Sequence, residues 1–167
     1  MNSDGLNNDR KETTYFDVYW EGPYDFDDLP EQDQNHVLYL ICGTHSLYGR
    51  NVPLYLGMTE TGASGRLSQH AHWVDEEPDP VKVYLASIGT FESWEARDKI
   101  ESYPKLEKGI IQSIESLLIY SHQPVYNTRS RQGNFKLEYP YVVFNTGRRS
   151  TLHPEISSLR WLGDPQT

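Results

Sequence analysis

Hydrophobic and polar positions fall into short blocks whose lengths predict strands first and helices later. Residues 36–42 (HVLYLIC) form an apolar run of strand length, and residues 53–57 form a second short strand after a connection with two glycines. Together these two segments predict a β-hairpin. Residues 81–87 alternate between apolar and other side chains, which predicts a third strand.

Two segments carry a helical pattern. Residues 64–73 begin with Ser64 as an N-cap, and residues 104–121 carry an apolar stripe, with Pro104 in the first turn. The remaining elements are an acidic loop at 75–80, a short helix within 92–102 and an edge strand at 141–145. The predicted fold class is therefore α/β or α+β, with a small central antiparallel three-stranded sheet flanked by helices.

Composition narrows the class of protein. The chain has 167 residues, enough for one domain with a real core, and its aromatic content of 13% is too high for a disordered chain. No apolar run could span a membrane, and the N-terminus lacks the apolar region of a signal peptide. The one cysteine, Cys42, cannot form an intrachain disulfide. We therefore expect a cytoplasmic protein without a membrane partner.

The net charge of −9 is concentrated at one end of the chain. Residues 1–35 carry a net −8, residues 36–167 carry −1, and the part from residue 121 onward carries +3. We expect residues 1–35 to form an acidic N-terminal arm, whose aromatic side chains either complete the core or shield a basic face. The overall acidity therefore does not exclude a nucleic-acid partner.

Six polar residues are candidates for chemistry, each with an ordinary structural alternative. Arg66 and His70 share one helix face, suited to phosphate binding and proton transfer, unless that face is simply solvated. Glu115 lies beside an apolar stripe, where it either binds a hard cation or meets a base. The other three are Tyr39, Tyr55 and Asn127, which either meet at a site or serve packing and turn formation.

Short motifs in the same order resemble those of the GIY-YIG nuclease superfamily. Val37-Leu38-Tyr39 stands where the family has Gly-Ile-Tyr, and Tyr55-Leu56-Gly57 stands for Tyr-Ile-Gly. Gly65-Arg66-Leu67 with His70 resembles the family's arginine helix. Glu115 to Ile119 resembles its metal-ligand helix, and Pro124 to Asn127 its closing turn. The resemblance covers residues 36–128, although the interval from Tyr39 to Tyr55 is longer than is typical.

The resemblance implies a metal-dependent DNA endonuclease. Glu115 would hold one Mg²⁺ or Mn²⁺, and Arg66 would neutralise the scissile phosphate. Either Tyr39 or His70 would be the first acceptor of the proton from water. Tyr55 and Asn127 would position these groups, and Arg50 would serve as a further cation. A binding module without catalysis, for nucleic acid or protein, is the alternative.

Substrate recognition is expected outside the motifs. The segment 129–167 is a C-terminal extension of the catalytic core 36–128, and its basic residues interleave with aromatic ones. This composition suits single-stranded or structured DNA, or a duplex bound by a homodimer, and a solvated loop is the simpler alternative. The candidate substrate-binding residues are Arg50, Arg129, Arg131, Lys136, Arg148 and Arg149.

Overall fold

The structure is a computed structural model that describes residues 11–30, 35–60, 62–131 and 133–162, without the side chains of 161 and 162. The strands are β1 (Thr14–Asp25), β2 (Leu38–His45), β3 (Gly49–Met58), β4 (Lys82–Thr90), β5 (Tyr141–Gly147) and β6 (Glu155–Ser157). The helices are α1 (Ala63–Leu67), α2 (Ala71–Val74), α3 (Trp94–Arg97), α4 (Lys108–His122) and α5 (Ser158–Leu162), and a 3₁₀ turn (Ser68–His70) joins α1 to α2. Among these helices none is long and apolar enough to cross a membrane.

All six strands belong to one mixed sheet in the order β3-β2-β4-β1-β5-β6, which curls into a half-barrel. Neighbouring strands are antiparallel except for the parallel pair β1 and β5. The predicted small three-stranded antiparallel sheet is therefore wrong. The three strands on which it was based are present as β2, β3 and β4, but they make up only half of the sheet.

Strand β1 accounts for most of this difference. It lies inside the sheet between β4 and β5, although its sequence was assigned to an acidic arm. Phe16, Val18 and Trp20 are buried on one face of the sheet, which is the alternation of a strand. Asp17 is fully buried on the other face, where it binds Arg97 Nε at 2.9 Å and Thr146 Oγ1 at 2.5 Å. The charged residues of this segment masked the alternation of apolar and polar positions that would have predicted a strand.

The later elements also differ from the prediction. The segment 141–145, expected at an edge, lies within β5 and is paired on both sides, with β1 and with β6. The helix expected within 92–102 is only the short α3, and α4 starts at Lys108, beyond Pro104. The helix expected at 64–73 is interrupted by the 3₁₀ turn.

Two apolar layers cover the sheet and place the candidate site. On one face, Ile114, Leu117 and Leu118 of α4 belong to a core cluster with alternate residues of β1, β2, β4 and β5. On the other face, Ala63 and Leu67 of α1 belong to a second cluster built around β2, β3 and β4. Strand β3 is an edge strand of the sheet, and it contacts α4 and shares the second cluster with α1.

A partly buried histidine fixes the end of α4. His122 Nδ1 donates to the carbonyl of Leu118 at 2.9 Å, which leaves Nε2 to accept from the backbone N–H of His153 at 2.9 Å. Burial, with a smaller contribution from His153, lowers the pKa of His122 to about 4. The neutral ring therefore stabilises the contact between α4 and the segment before β6.

We expect His122→Ala to lower the free energy of unfolding at pH 7.5 by about 1–2 kcal/mol, because one hydrogen bond and packing are lost. This difference should shrink as the pH falls below 6.5 and should reverse its sign before pH 4 is reached, so that the variant becomes the more stable protein. In that range His122 is protonated in the unfolded wild-type chain but not in the folded protein. The free energy of unfolding of the wild type therefore falls by about 1.4 kcal/mol per pH unit. Urea unfolding at several pH values measures it, with the exposed His72→Ala as control. A difference that is independent of pH would contradict this account.

Candidate active site

Three aromatic candidates meet at the junction of β2, β3 and the 3₁₀ turn. Tyr39 points from β2 toward α1, and its hydroxyl oxygen lies 3.0 Å from His70 Nε2. Tyr55 on β3 stacks beside Tyr39 with ring centroids 6.1 Å apart, and its ring centroid is 4.3 Å from that of His70. The sequence prediction that these side chains lie close together agrees with this geometry.

The direction of the bond between Tyr39 and His70 follows from a third residue. The indole nitrogen of Trp73 donates to His70 Nδ1 at 3.2 Å. A neutral imidazole that accepts at Nδ1 carries its proton on Nε2. Burial, Arg66 and His72 lower the pKa of His70, which favours this neutral form. His70 Nε2–H therefore donates to the Tyr39 hydroxyl oxygen and leaves the phenolic proton free to point elsewhere.

Gly57 leaves room for the Tyr39 hydroxyl group because it has no side chain. Tyr39 is 1% exposed, and it pairs with Gly57 across the β2–β3 ladder. A Cβ atom on Gly57 would lie 2.5 Å from the Tyr39 hydroxyl oxygen and 3.0 Å from the Tyr55 ring. Neither ring can move far from such a Cβ atom, since both rings are packed against His70. The glycine of the Tyr-Leu-Gly motif is thus required by a close approach.

We expect Gly57→Ala to displace the Tyr39 hydroxyl and to reduce the activity proposed below by about 10²-fold or more, since small misplacements of a reacting group have effects of this size. The control is Gly65→Ala, where a Cβ atom meets nothing within 4 Å. Initial rates and a thermal melt of both variants test this. Full activity in a folded Gly57→Ala protein would show that the position of Tyr39 is unimportant.

A cleft of about 570 Å³ opens beside the end of β3 and collects the remaining charged candidates. Glu115 reaches it from α4 because it lies beside the stripe that packs on the sheet, rather than within the stripe. Its carboxylate accepts a hydrogen bond from the backbone N–H of Met58. Burial nevertheless raises the pKa of Glu115 to about 7, against the opposing effects of Met58 and Arg66. A partly buried carboxylate of this kind gains from a bound cation.

Arg66 links the aromatic cluster to the cleft. It lies in the last turn of α1 and lines the cleft, and its guanidinium donates to Gln69 Oε1 at 3.0 Å. Its charge lowers the pKa values of Glu115, Tyr39 and His70, so it is electrostatically coupled to all three. Such a cation favours an anion at the same place.

Asn127 is buried and its amide is fully engaged with β3. Its Oδ1 accepts from the backbone N–H of Leu56 at 2.9 Å, and its Nδ2 donates to the carbonyl of Leu56 at 2.8 Å. The backbone N–H groups of Val125 and Tyr126 donate to the carbonyls of Pro53 and Leu54. Asn127 is therefore a positioning residue, which holds the closing turn against the strand that carries Tyr55.

The predicted substrate-binding residues are dispersed. Arg129 lines the cleft with Glu115, whereas Arg50 is exposed near the tip of the β2–β3 hairpin. Arg131 donates to Gln123 Oε1 at 2.8 Å, and Arg149 holds the carbonyl of Leu152 within its own turn. Arg148 is exposed after β5, and Lys136 lies in a separate cleft with Leu159.

Sequence reasoning missed three residues with a part in the site. Trp73 sets the tautomer of His70, and its position three residues after His70 on the helical segment was the available signal. Gly57 was noted only as part of a motif. Lys108 lines the cleft and forms an ion pair with Glu60, which no pattern in the sequence indicated.

The donors available to a metal are few. Among the described residues there is no group of three or more His, Cys, Asp or Glu side chains that could hold an ion. Glu60 also lines the cleft but is paired with Lys108, so Glu115 is the carboxylate on which a divalent site would depend. Comparison of this chain with models of protein families, with curated proteins and with solved structures finds no significant match.

Proposed function

We propose that this protein is a metal-dependent DNA endonuclease of the GIY-YIG type. The observation that carries the proposal is the convergence of residues distant in sequence. Tyr55, Arg66, Glu115 and Asn127 line or border one cleft, and Tyr39 and His70 adjoin it through Tyr55. A packed surface has no need of two phenols, a cation and a carboxylate of raised pKa at one place.

The donor set fits one divalent cation of the Mg²⁺ or Mn²⁺ kind. Mg²⁺ is commonly bound by one or two carboxylates, with water and substrate phosphate completing its shell. Glu115 is a hard oxygen donor facing a cleft of about 570 Å³, which leaves room for those other ligands. When bound, the metal supplies Lewis-acid stabilisation of the phosphate and of the leaving oxygen.

The protein's own residues would then bind the phosphodiester and accept the proton released in its hydrolysis. Arg66 binds non-bridging oxygens of the scissile phosphate, because a guanidinium is planar and permanently charged. Tyr39 acts as the phenolate: after its own phenolic proton has passed to solvent, it takes the proton from the attacking water. Burial and neighbouring Tyr55 raise the pKa of Tyr39, and Arg66 opposes this. The donated bond from His70 Nε2 further favours the phenolate, so we assign first proton acceptance to Tyr39 and its stabilisation to His70.

The test is an incubation of the purified protein with plasmid, single-stranded DNA and RNA, with Mg²⁺, Mn²⁺ or a chelator. We expect cleavage of DNA that requires the metal. Arg66→Ala should lower the rate by about 10²–10³-fold, the effect of removing one stabilising donor. Lys99→Ala, an exposed cation on another part of the surface, is the control.

Two outcomes would overturn the proposal. Binding of DNA without cleavage under any metal condition would favour a non-catalytic module on the same scaffold. Cleavage that continues at the same rate in chelator would show that the reaction does not require a metal. Because Cys42 is a buried free thiol, the assays are best run under the reducing conditions of the cytoplasm, the compartment that we propose.

A further inference from the structure

Acidic residues are missing from three segments in an otherwise acidic protein. Residues 42–59, 116–137 and 139–154 contain six Lys or Arg residues and no Asp or Glu, although the chain carries a net charge of −9. The first of these segments holds the β2–β3 hairpin, whose interval is longer than the resemblance would require. The long hairpin is therefore a feature of this chain that needs its own explanation.

Contacts bring the other two segments against the hairpin tip. Ser150 Oγ donates to Asn51 Oδ1 at 3.4 Å, which places Arg148 and its turn beside β3. Tyr48 and Arg131 line one cleft of about 450 Å³, and Arg131 is oriented by its bond to Gln123. We call Leu47, Tyr48, Arg50, Arg131 and Arg148 the hairpin surface.

The tip of the hairpin presents large apolar side chains to solvent. It is a turn of residues 46–48 closed by Gly49 at φ 91°, the left-handed conformation that such a hairpin needs. Leu47 is 77% exposed and Tyr48 is 65% exposed. His45 contacts both of these residues. Its Nδ1 accepts a hydrogen bond from the Leu47 backbone N–H at 3.2 Å, and its ring stacks on the Tyr48 ring with centroids 4.9 Å apart.

We propose that this hairpin enters the major groove of duplex DNA while Arg50, Arg131 and Arg148 contact the flanking phosphates. The inference rests on the proposed function and extends it to the kind of DNA bound. The major groove of B-DNA admits a two-stranded β-ribbon, and apolar side chains there meet thymine methyl groups. The groove of double-stranded RNA is too narrow and deep for such a ribbon.

The geometry of β3 connects this contact to the cleavage site. The tip and Tyr55 lie about seven residues apart on one strand, or roughly 20 Å at the rise of a β-strand. At roughly 3.4 Å per base pair, this spans about six base pairs, or half a turn of the duplex. One face of the duplex could therefore run from the cleft, past Arg129, to the hairpin.

The first experiment measures binding to a 30-base-pair duplex in chelator, so that cleavage plays no part. We expect Arg50→Gln combined with Arg148→Gln to reduce the slope of log affinity against log salt by about 2, since each lost phosphate contact removes about 0.9. The matched control combines Lys11→Gln with Lys99→Gln, two exposed lysines elsewhere on the surface. Circular dichroism and thermal melts check that all variants fold.

The second experiment tests the groove. Duplexes with a bulky sugar on the 5-position of cytosine, which fills the major groove, should bind wild-type protein at least about 10-fold more weakly. A ligand that fills the minor groove should have little effect. The combined variant Leu47→Ser with Tyr48→Ala should bind the unmodified duplex weakly and lose most of the discrimination. Tyr15→Ala, which changes another exposed tyrosine, should behave as wild type.

The outcomes separate this inference from the proposed function. Metal-dependent cleavage with unaltered binding in the hairpin variants would overturn the inference and leave the nuclease assignment intact. Salt and groove effects as expected, without any cleavage, would support the inference and refute the nuclease. Equal or tighter binding to duplex RNA, or no binding to duplex DNA, would overturn the assignment of the hairpin to the major groove.

Discussion

Glu115→Gln is expected to abolish metal-dependent cleavage while leaving the fold intact. The amide keeps the shape of the side chain but removes the charge that would hold a divalent cation, and a loss of about 10³-fold or more in rate follows if that cation stabilises the transition state. Because burial raises the pKa of Glu115 to about 7, the charged form is disfavoured in the folded protein. Thermal stability of the variant at pH 8 should therefore equal or exceed that of the wild type.

The same raised pKa predicts how activity depends on pH. At limiting Mg²⁺, protons compete with the metal for Glu115, so activity should rise as the pH increases through about 7. Higher Mg²⁺ concentrations should move this rise to lower pH. Glu138→Gln, which changes an exposed carboxylate, is the control. Cleavage at the wild-type rate by Glu115→Gln in Mg²⁺ would refute the metal assignment.

Tyr39→Phe is expected to reduce the rate of cleavage by about 10²–10⁴-fold, the range for loss of a general base. The ring would keep its packing against Tyr55 and His70, while the bond from His70 Nε2 would lose its acceptor. Affinity for DNA in chelator should change little, because the phenol is buried below the surface of the cleft. Single-turnover rates with saturating protein measure the chemical step separately from binding.

His70→Ala distinguishes the two proton routes. If His70 donates to Tyr39, its loss raises the pKa of the phenol, so the rise of activity with pH should move to more alkaline values. If His70 were the first acceptor, its loss should instead lower the rate at every pH by about 10²–10⁴-fold, the range for loss of a general base, without such a shift. Tyr84→Phe, on the opposite face of β4, is a control that removes a phenol from outside the site. Unchanged activity in Tyr39→Phe would exclude Tyr39 as the base.

Only the local relations within the candidate site could be predicted from spacing, whereas its convergence with Glu115 and Asn127 was expected only from the family resemblance. Arg66 and His70 lie one helical turn apart, and Tyr55 and Gly57 lie two residues apart on one strand. Local spacing determines which side chains share a face, whatever the rest of the sheet does. The tautomer of His70 could not be predicted in the same way, since it depends on the side-chain geometry of Trp73.

The sheet was underestimated because strand pairing is not a local property. β1 contains Asp17 and Glu21 among its aromatic residues, a composition that hides a buried strand. Asp17 is tolerated inside the protein only because Arg97, Tyr103 and Thr146 bind its carboxylate. All three partners lie 80 or more residues away along the chain, so no local stretch of sequence contains this information.

The predicted helix lengths were wrong for a related reason. The segment 92–102 has helical composition, but the bonds of Arg97 and of the following Tyr103 to Asp17 hold this part of the chain across the face of β1. Tyr103 also lies over Gly89, where a Cβ atom would be within 1.9 Å of its ring. Tertiary contacts thus replaced most of a helix that local preference favoured.

The position of β1 also dictates when the site can form during synthesis. β1 leaves the ribosome before its parallel neighbour β5, which follows only after the whole candidate site, and Trp20 bonds to Asn145 across 125 residues. Until β5 arrives, β1 is left with an open edge and β4 lacks a stable neighbour on that side. Such long-range pairing slows folding and leaves apolar strands open to other chains. Newly made protein should therefore depend on chaperones or low temperature, whereas the completed sheet encloses both edges of β1 and needs neither.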